Sequence, residues 1–388
     1  MSRSTVVVGS GSGAQAWPRL SASSGAALRL LLTRGGLPRA EMARMLDLSR
    51  TSLTRVTREL LEVGLVREGV VELRATTGRP SEVLEVVASA HHFLGIKLTG
   101  DALHAVVTDL AAAVQEQSSA ALVAPDVDHV VGQIAALVDD VRGRFPRLTS
   151  VGISLAGVVT GERGGEVVHQ SPFLGWAGDV PLSQLVAQAT GYPVVVENDV
   201  SALTALEAWS RVGAGVSSMA LVTIGAGLGF GFVIGGRVVR GAHGVAGRLD
   251  HVVVVPDGPV CERGHQGCAS ALLPEGAVVR NAGSAAGDYR AVIEAARAGD
   301  GPERRAVEAA GVALGRLIGL IQNTVDPEKV VLTGEGLDTY RVAADVVHAE
   351  IDRLVEGGVD SAVLDVQGFD FSEWARAAAG GAIFSLLT

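Results

Sequence analysis

The stretch ALVTIGAGLGFGFVIGGRVVRG, residues 220–241, is typical of short strands joined by glycine turns. An apolar run from Ala220 to Ile224 leads into a glycine-rich loop, and a second apolar run ends at Gly235-Gly236. Paired glycines between apolar runs favour a tight hairpin, because glycine adopts positive φ without steric cost. The stretch therefore predicts strand, glycine loop, strand and hairpin, within a larger α/β domain.

A similar pattern lies earlier in the chain, in FLGIKLTGDALHAVVTDL, residues 93–110. Here Gly100-Asp101 separates two segments in which apolar residues alternate with others, which predicts a second hairpin. Two glycine hairpins in one α/β body indicate two similar halves facing a cleft. Ligands in such folds bind at the carboxyl ends of the strands.

The residues ahead of this body have a different charge. The chain of 388 residues carries a net charge of −10, yet residues 21–82 contain ten arginines, seven acids and no lysine. A basic segment before an acidic body favours a separate nucleic-acid-binding module. We expect a flexible Gly/Ser-rich tail over residues 1–20, the basic module over 21–86, and the body over 87–388.

Helical periodicity within the module predicts three helices, followed by a wing. The third helix, residues 50–64, follows Ser49 as a candidate N-cap, and its start is rich in arginine and hydroxyl residues. Two short strands around Glu68-Gly69, within residues 65–75, complete a winged helix-turn-helix. Such a helix reads the major groove of DNA, and an arginine beyond the wing can enter a minor groove. The predicted DNA contacts are Arg50, Thr51, Ser52, Thr54, Arg55, Arg58 and Arg79. The alternative is a helical bundle with a solvated charged face.

Composition narrows the class of protein further. The chain has a mean hydropathy of +0.34 but no apolar run long enough to cross a membrane. Two cysteines do not form a disulfide framework and indicate a reducing compartment. We expect a cytoplasmic protein.

Three motifs together resemble the ROK family (repressors, open reading frames and sugar kinases). They are VENDVSALTALEAW at residues 196–209, the glycine-rich stretch continued through GAHGVAG to His251, and a trailing C…GHQGC. The resemblance implies a two-lobed, actin-like (RNase H-like) α/β fold. With the winged module, the chain resembles the NagC/XylR-type transcriptional regulators, since the family's sugar kinases lack that module.

The resemblance also implies a vestigial kinase site. Asn198 matches the residue that holds sugar hydroxyls and Asp199 the general base, although a helix N-cap would also explain Asp199. Lys97 stands where the kinases have the aspartate that helps hold magnesium and phosphate. An ammonium group cannot ligate Mg²⁺. We therefore expect no catalysis, and neither ATP nor magnesium as a cofactor.

The effector site that the resemblance implies also departs from the family pattern. It comprises Asn198, Asp199, Arg248, His251 and Ser270, of which Arg248 and Ser270 replace glutamates of the family pattern. Arg248 suits an acidic ligand group, as in a sugar acid or phosphorylated sugar. Alternatively, Arg248 bridges to Asp250 or Asp199 and closes the pocket.

A zinc site of one histidine and three cysteines is implied as well, but one cysteine is missing. His251, Cys261 and Cys268 match the pattern, whereas Arg263 replaces the middle cysteine. Three ligands leave tetrahedral zinc one short. His265 or a water could complete the shell, or Arg263 fills the space and no metal binds.

These expectations combine into a DNA-binding transcriptional regulator, in particular a repressor of carbohydrate-related genes. It would bind a two-fold operator as a homodimer or homotetramer and sense a sugar or sugar derivative with a catalytically inert body. An ATP-dependent sugar kinase and a ligand-independent DNA-binding regulator are the alternatives.

Overall fold

The computed structural model describes residues 16–69, 83–210, 216–242, 246–283, 287–355 and 362–387. The chain divides into two compact units: unit 1 is Met1–Ala214 with Phe371–Thr388, and unit 2 is Gly215–Asp370. Among the residues described, no helix has the length and apolar character to cross a membrane.

The N-terminal module within unit 1 has the predicted winged helix-turn-helix order. Its helices pack through buried residues such as Leu28, Met42 and Leu60, and Ser49 caps the third helix by accepting a hydrogen bond from the Ser52 amide. Its small antiparallel sheet has the strand order β1-β3-β2. The elements are α1 (Ala22–Arg34), β1 (Leu37–Pro38), α2 (Arg39–Met45), α3 (Arg50–Glu62), β2 (Val66–Gly69) and β3 (Val83–Val86).

The wing differs from its prediction in one respect. The expected turn at Glu68-Gly69 is wrong: both residues belong to β2, where Glu68 pairs with Leu84 and Gly69 with Val83. The β2 ladder continues because its partner is β3, which lies beyond the segment where the second strand was predicted. The rest of that predicted strand, and Arg79, lie outside the described residues.

The rest of unit 1 is built on a five-stranded sheet of order β10-β7-β4-β5-β6. β4, β5 and β6 are antiparallel neighbours, whereas β7 and β10 run parallel to β4. The predicted hairpin turn joins β4 to β5, closed by the Thr99 amide donating to the Ala102 carbonyl at 2.9 Å. The elements are β4 (His92–Leu98), β5 (Ala102–Asp109), β6 (Val114–Ala121), α4 (Val127–Arg144), β7 (Leu148–Leu155), β8 (Val158–Thr160), β9 (Val167–Gln170), α5 (Leu182–Thr190), β10 (Val194–Asn198), α6 (Asp199–Ser210) and α11 (Phe371–Ser385).

Unit 2 repeats the same sheet. Its strand order is β13-β12-β11-β14-β15, again three antiparallel strands followed by two parallel ones. The predicted hairpin at Gly235-Gly236 is confirmed, with φ of 58° and 71°. The elements are β11 (Met219–Ile224), β12 (Leu228–Ile234), β13 (Arg237–Val238), α7 (Glu275–Ala282), α8 (Tyr289–Ala298), α9 (Pro302–Val325), β14 (Lys329–Thr333), α10 (Leu337–Leu354) and β15 (Val363–Val366). The shared strand order in the two units is that of the actin-like fold.

Two glycines let α11 lie directly on the unit 1 sheet. Gly95 of β4 and Gly152 of β7 are register partners. A Cβ atom at Gly95 would overlap the Ala375 carbonyl, and one at Gly152 would overlap the Ala378 carbonyl. α11 therefore packs directly against the strands that carry the candidate site. Its backbone lies so close to these strands that a side chain at either glycine would not fit.

Replacing either glycine by alanine should destabilise the protein. We expect Gly95→Ala or Gly152→Ala to lower the free energy of unfolding by about 1–3 kcal/mol or more, because the helix must move off the sheet. Urea denaturation measures the change. Gly132→Ala is the matched control: this glycine is inside α4 with open space around it, so alanine should stabilise by up to about 1 kcal/mol. Parental stability of both sheet variants would contradict the packing argument.

Candidate functional site

The outer face of α3 is the candidate DNA-contacting surface. Of the residues predicted to contact DNA, five are exposed on this helix and Ser52 is half-buried beside its N-cap. Leu53, Val56 and Leu60 are buried on the opposite face. Within the described part of the chain, Arg50, Arg55 and Arg58 form no ion pair. The exposed residues are Arg50, Thr51, Thr54, Arg55 and Arg58.

One acidic side chain of α3 is directed to α1. Glu59 accepts hydrogen bonds from the Ser24 hydroxyl at 2.7 Å and the Ser21 amide at 3.0 Å. These hydrogen bonds hold the pKa of the Glu59 carboxyl below its usual value, and the one from Ser24 contributes most. The contact joins the first and third helices.

Lys97 and Asp199 form a buried ion pair at the carboxyl ends of the unit 1 strands. Lys97 Nζ donates to Asp199 Oδ2, and the side chains are only 6% and 8% exposed. The ammonium also lies 5.1 Å from the ring centroid of Trp374 on α11. The sequence predicts Asp199 as a vestigial base. It does not predict that Asp199 pairs with Lys97, which lies 102 positions earlier in the chain.

Asn198 and Asp199 also act at the start of α6. Asn198 Oδ1 accepts from the Ser201 amide at 3.0 Å, while its Nδ2 donates to the Gly157 carbonyl at 3.0 Å. Asp199 Oδ1 accepts from the Val200 amide at 2.9 Å. Asn198 therefore caps the start of α6, whereas the helix-cap alternative assigned that role to Asp199, which is the first residue of the helix.

The far end of α6 leads to the N-terminal module. Trp209 contacts Phe384 of α11 edge to face, with 4.5 Å between ring centroids. The Arg29 guanidinium of α1 lies 5.4 Å from the Phe384 ring, and Gly25 of α1 sits against the Leu387 carbonyl. Packing thus connects the Asp199 end of α6 to α1, and through Glu59 to α3.

Unit 2 brings four potential metal ligands together. The ligand atoms of His251, Cys261, His265 and Cys268 all lie within 4.8 Å of one another. His251 Nδ1 is 3.8 Å from Cys261 Sγ and 3.7 Å from Cys268 Sγ, and His265 Nδ1 is 3.7 Å from Cys261 Sγ. Bond lengths of zinc to sulfur and nitrogen place such atoms about 3.6 Å apart in a tetrahedron. The donor set therefore fits a tetrahedral metal.

The surroundings shift the pKa values of the two thiols in opposite directions and orient one histidine ring. Burial acts to raise the pKa of the Cys261 thiol, but hydrogen bonds from the Arg263 and His265 backbone hold it below its usual value. Burial and the hydrogen bond with Cys261 raise the pKa of Cys268. Asp250 Oδ2 lies 3.3 Å from His251 Nε2, so a carboxylate orients the ring, as is common for metal-binding histidines.

The remaining predicted residues of unit 2 lie around the same loop. Ser270 donates its amide to the Asp250 carbonyl at 2.8 Å. Arg248 is exposed and, among the described residues of unit 2, forms no ion pair with Asp250. Arg263 is also exposed, so it does not fill the space among the ligand atoms.

The glycine loop after β11 has acidic neighbours that the sequence did not reveal. Glu335 Oε2 accepts from the Ala226 amide at 3.4 Å, and the Glu275 amide donates to the Gly225 carbonyl at 3.0 Å. Burial, and then the charge of Glu335, raise the pKa of Glu275. Two acidic residues therefore lie beside this glycine loop.

Comparisons with family models, with known sequences and with solved structures all point to the same family. The ROK family model matches residues 93–384. The DNA-binding transcriptional repressor Mlc of Escherichia coli K12 is 26% identical over 326 residues, which cover 80% of each chain. A solved ROK family transcriptional regulator, described as a homolog of E. coli Mlc, superposes with a TM-score of 0.79 at 25% identity, covering 94% of this chain and 95% of that one.

A ROK family glucokinase is also similar, over a smaller part of the chain. The Streptomyces griseus enzyme, solved with glucose and AMPPNP, superposes with a TM-score of 0.63 at 28% identity. The match covers 99% of the glucokinase but 75% of this chain. The superposition with the regulator covers nearly the whole of this chain, whereas that with the glucokinase covers three quarters of it.

The buried pair predicts strongly non-additive substitutions. Lys97→Met or Asp199→Asn alone should cost about 3–5 kcal/mol of unfolding free energy, because each leaves one buried charge unpaired. The double variant should recover most of that stability. Urea denaturation of the double-mutant cycle tests this, with the exposed pair Arg142 and Asp139 as control, where single substitutions should cost less than about 1 kcal/mol. Additive effects at Lys97 and Asp199 would contradict the pairing.

Proposed function

Because the chain belongs to the ROK family and carries a winged helix-turn-helix before the family's domain, we propose that it is a sequence-specific transcriptional repressor of carbohydrate-related genes. The single observation that carries the proposal is the exposed basic face of α3. Arginines that pair with no described acidic residue can neutralise DNA phosphates, and the hydroxyl residues at the helix start can reach base edges. The protein would act in the cytoplasm as a homodimer or homotetramer, so that two modules meet the half-sites of a two-fold operator.

The body is a sensor without kinase activity. A general base must be able to accept the proton of a sugar hydroxyl, and Asp199 is instead held by Lys97. Phosphoryl transfer also needs magnesium and a loop that accepts phosphate. Lys97 replaces the expected metal ligand, and Glu335 adds negative charge at the glycine loop. These observations support binding without turnover, and argue against ATP and magnesium as cofactors.

Effector binding would reach the DNA through α6. The helix begins at Asn198 and Asp199, the residues proposed to bind the sugar, and ends against Phe384, which contacts α1. A ligand that favours one position of α6 would change the placement of α1 and α3. The shift in DNA affinity is limited by the ligand's differential affinity for the two arrangements.

Zinc would be held by His251, Cys261, His265 and Cys268. When bound, the metal supplies a structural cross-link and no catalytic chemistry, because four protein ligands leave no open position. His265 takes the place of the missing cysteine in this proposal. The cross-link would fix the loop of unit 2 that carries Arg248 and Ser270.

Removing arginines from α3 should weaken DNA binding and flatten its salt dependence. Genomic fragments retained by the full-length protein supply the probe, and fluorescence anisotropy at several salt concentrations gives the affinity. Each of Arg50→Ala, Arg55→Ala and Arg58→Ala should lower affinity, and the log–log salt slope should fall by about one for each phosphate that the variant no longer neutralises. Arg142→Ala, on the surface of α4, should change neither quantity. Parental affinity in the triple arginine variant would refute the proposed DNA-binding face.

Metal content tests the zinc proposal. Purified protein should contain about one zinc per chain by mass spectrometry, and Cys268→Ser or His265→Ala should reduce zinc retention during dialysis against a chelator. Arg263→Cys is the matched control, since its added thiol should leave retention at least as strong. Equal retention by wild type and His265→Ala would show that His265 is not a ligand.

A further inference from the structure

The ammonium group of Lys97 has more hydrogen-bond donors than the described residues supply acceptors for. The residue is 4% exposed, and an ammonium carries three N–H donors. Within the described part of the chain, its sole hydrogen-bond acceptor is Asp199 Oδ2, and its other neighbour of note is the face of Trp374. A buried donor left without an acceptor costs free energy, so further acceptors are expected at this position when the site is filled.

Among the described residues, Asp199 also has fewer hydrogen-bond donors around it than its carboxylate can accept from. Its Oδ1 accepts one hydrogen bond, from the Val200 amide, and its Oδ2 accepts one, from Lys97. A carboxylate offers about four lone-pair directions, so each oxygen can accept once more. The pair therefore presents a donor and an acceptor side by side, which is what one hydroxyl group requires.

The pair lies at the carboxyl-end edge of the unit 1 sheet. In the order β10-β7-β4, Lys97 lies near the end of β4, Asp199 directly follows β10, and the two side chains meet across the end of β7. These three strands are parallel, so their carboxyl ends share one edge. Ligands of α/β sheets bind outside that edge.

We propose that Lys97 binds an oxygen of the effector directly, and that the Lys97–Asp199 pair selects an uncharged sugar over sugar phosphates and sugar acids. A sugar hydroxyl can accept from the ammonium and donate to the carboxylate without disturbing the pair. An anionic group would gain from Lys97 but would meet the Asp199 carboxylate, and like charges in a poorly solvated site repel strongly. This inference rests on the proposed role of the body as a sugar sensor.

Two uncharged double variants isolate the contribution of Lys97. Lys97→Gln/Asp199→Asn keeps a donor at position 97, whereas Lys97→Met/Asp199→Asn removes it, and neither leaves a buried charge unpaired. Calorimetric titration and thermal shift of the full-length protein would use glucose, xylose and N-acetylglucosamine, with glucose 6-phosphate and gluconate as anionic probes. We expect a neutral sugar to bind the wild type more tightly than either anion. The methionine variant should bind that sugar about tenfold more weakly than the glutamine variant.

Three results would overturn the inference. They are equal affinity of the two double variants, tighter binding of an anionic probe than of any neutral sugar, and no effect of any neutral sugar on the wild type. Arg142→Ala should bind the sugar as the wild type does, which controls for general effects of substitution. DNA binding by the same preparations separates the two proposals. If operator fragments are retained while the sugar results fail, the inference about Lys97 is wrong and the repressor proposal stands.

Discussion

The ion pair between Lys97 and Asp199 is the constraint on which this account of the body depends. It joins β4 to the start of α6 through two side chains with almost no exposure. A buried pair of this kind adds little net stability relative to apolar residues, but removing one partner is costly. The pair holds the start of α6 in place, and we propose that Asp199, which already accepts a hydrogen bond from the Lys97 ammonium, binds a ligand and does not act as a base.

The same helix links the two proposed activities. From Asp199, α6 runs to Trp209, whose contact with Phe384 leads to Arg29 on α1. α11 packs closely on the sheet at Gly95 and Gly152, and its Phe384 contacts Arg29 of the N-terminal module. The sheet and the module are therefore connected through closely packed residues. Interfaces packed this tightly tend to have discrete arrangements, and small shifts at a ligand can be transmitted through them. The family's catalytic scaffold thus suits control of a DNA-binding module.

Local patterns in the sequence predicted most elements, whereas contacts between distant residues could not be read from it. Gly100-Asp101 and Gly235-Gly236 located the two hairpins, and Ser49 with the arginine run located α3, since turns, caps and amphipathic faces are local signals. The wing turn at Glu68-Gly69 was misplaced because β2 pairs with β3, a strand whose partner cannot be identified from periodicity. Lys97 was recognised as a departure from the kinases, yet its pairing with Asp199 depends on the order of strands in the sheet. The sequence did not predict that Glu335 lies at the glycine loop, because this position arises from the pairing of β11 with β14.

Phosphoryl transfer is the most direct test of the central claim, that the kinase-like body binds without turnover. Full-length protein would be incubated with ATP, magnesium and a panel of neutral sugars, and release of ADP followed by a coupled assay. We expect no sugar-dependent ADP release above the background without sugar. Sugar-dependent release that Asp199→Asn abolishes would contradict it, because Asp199 would then be acting as a catalytic base despite Lys97.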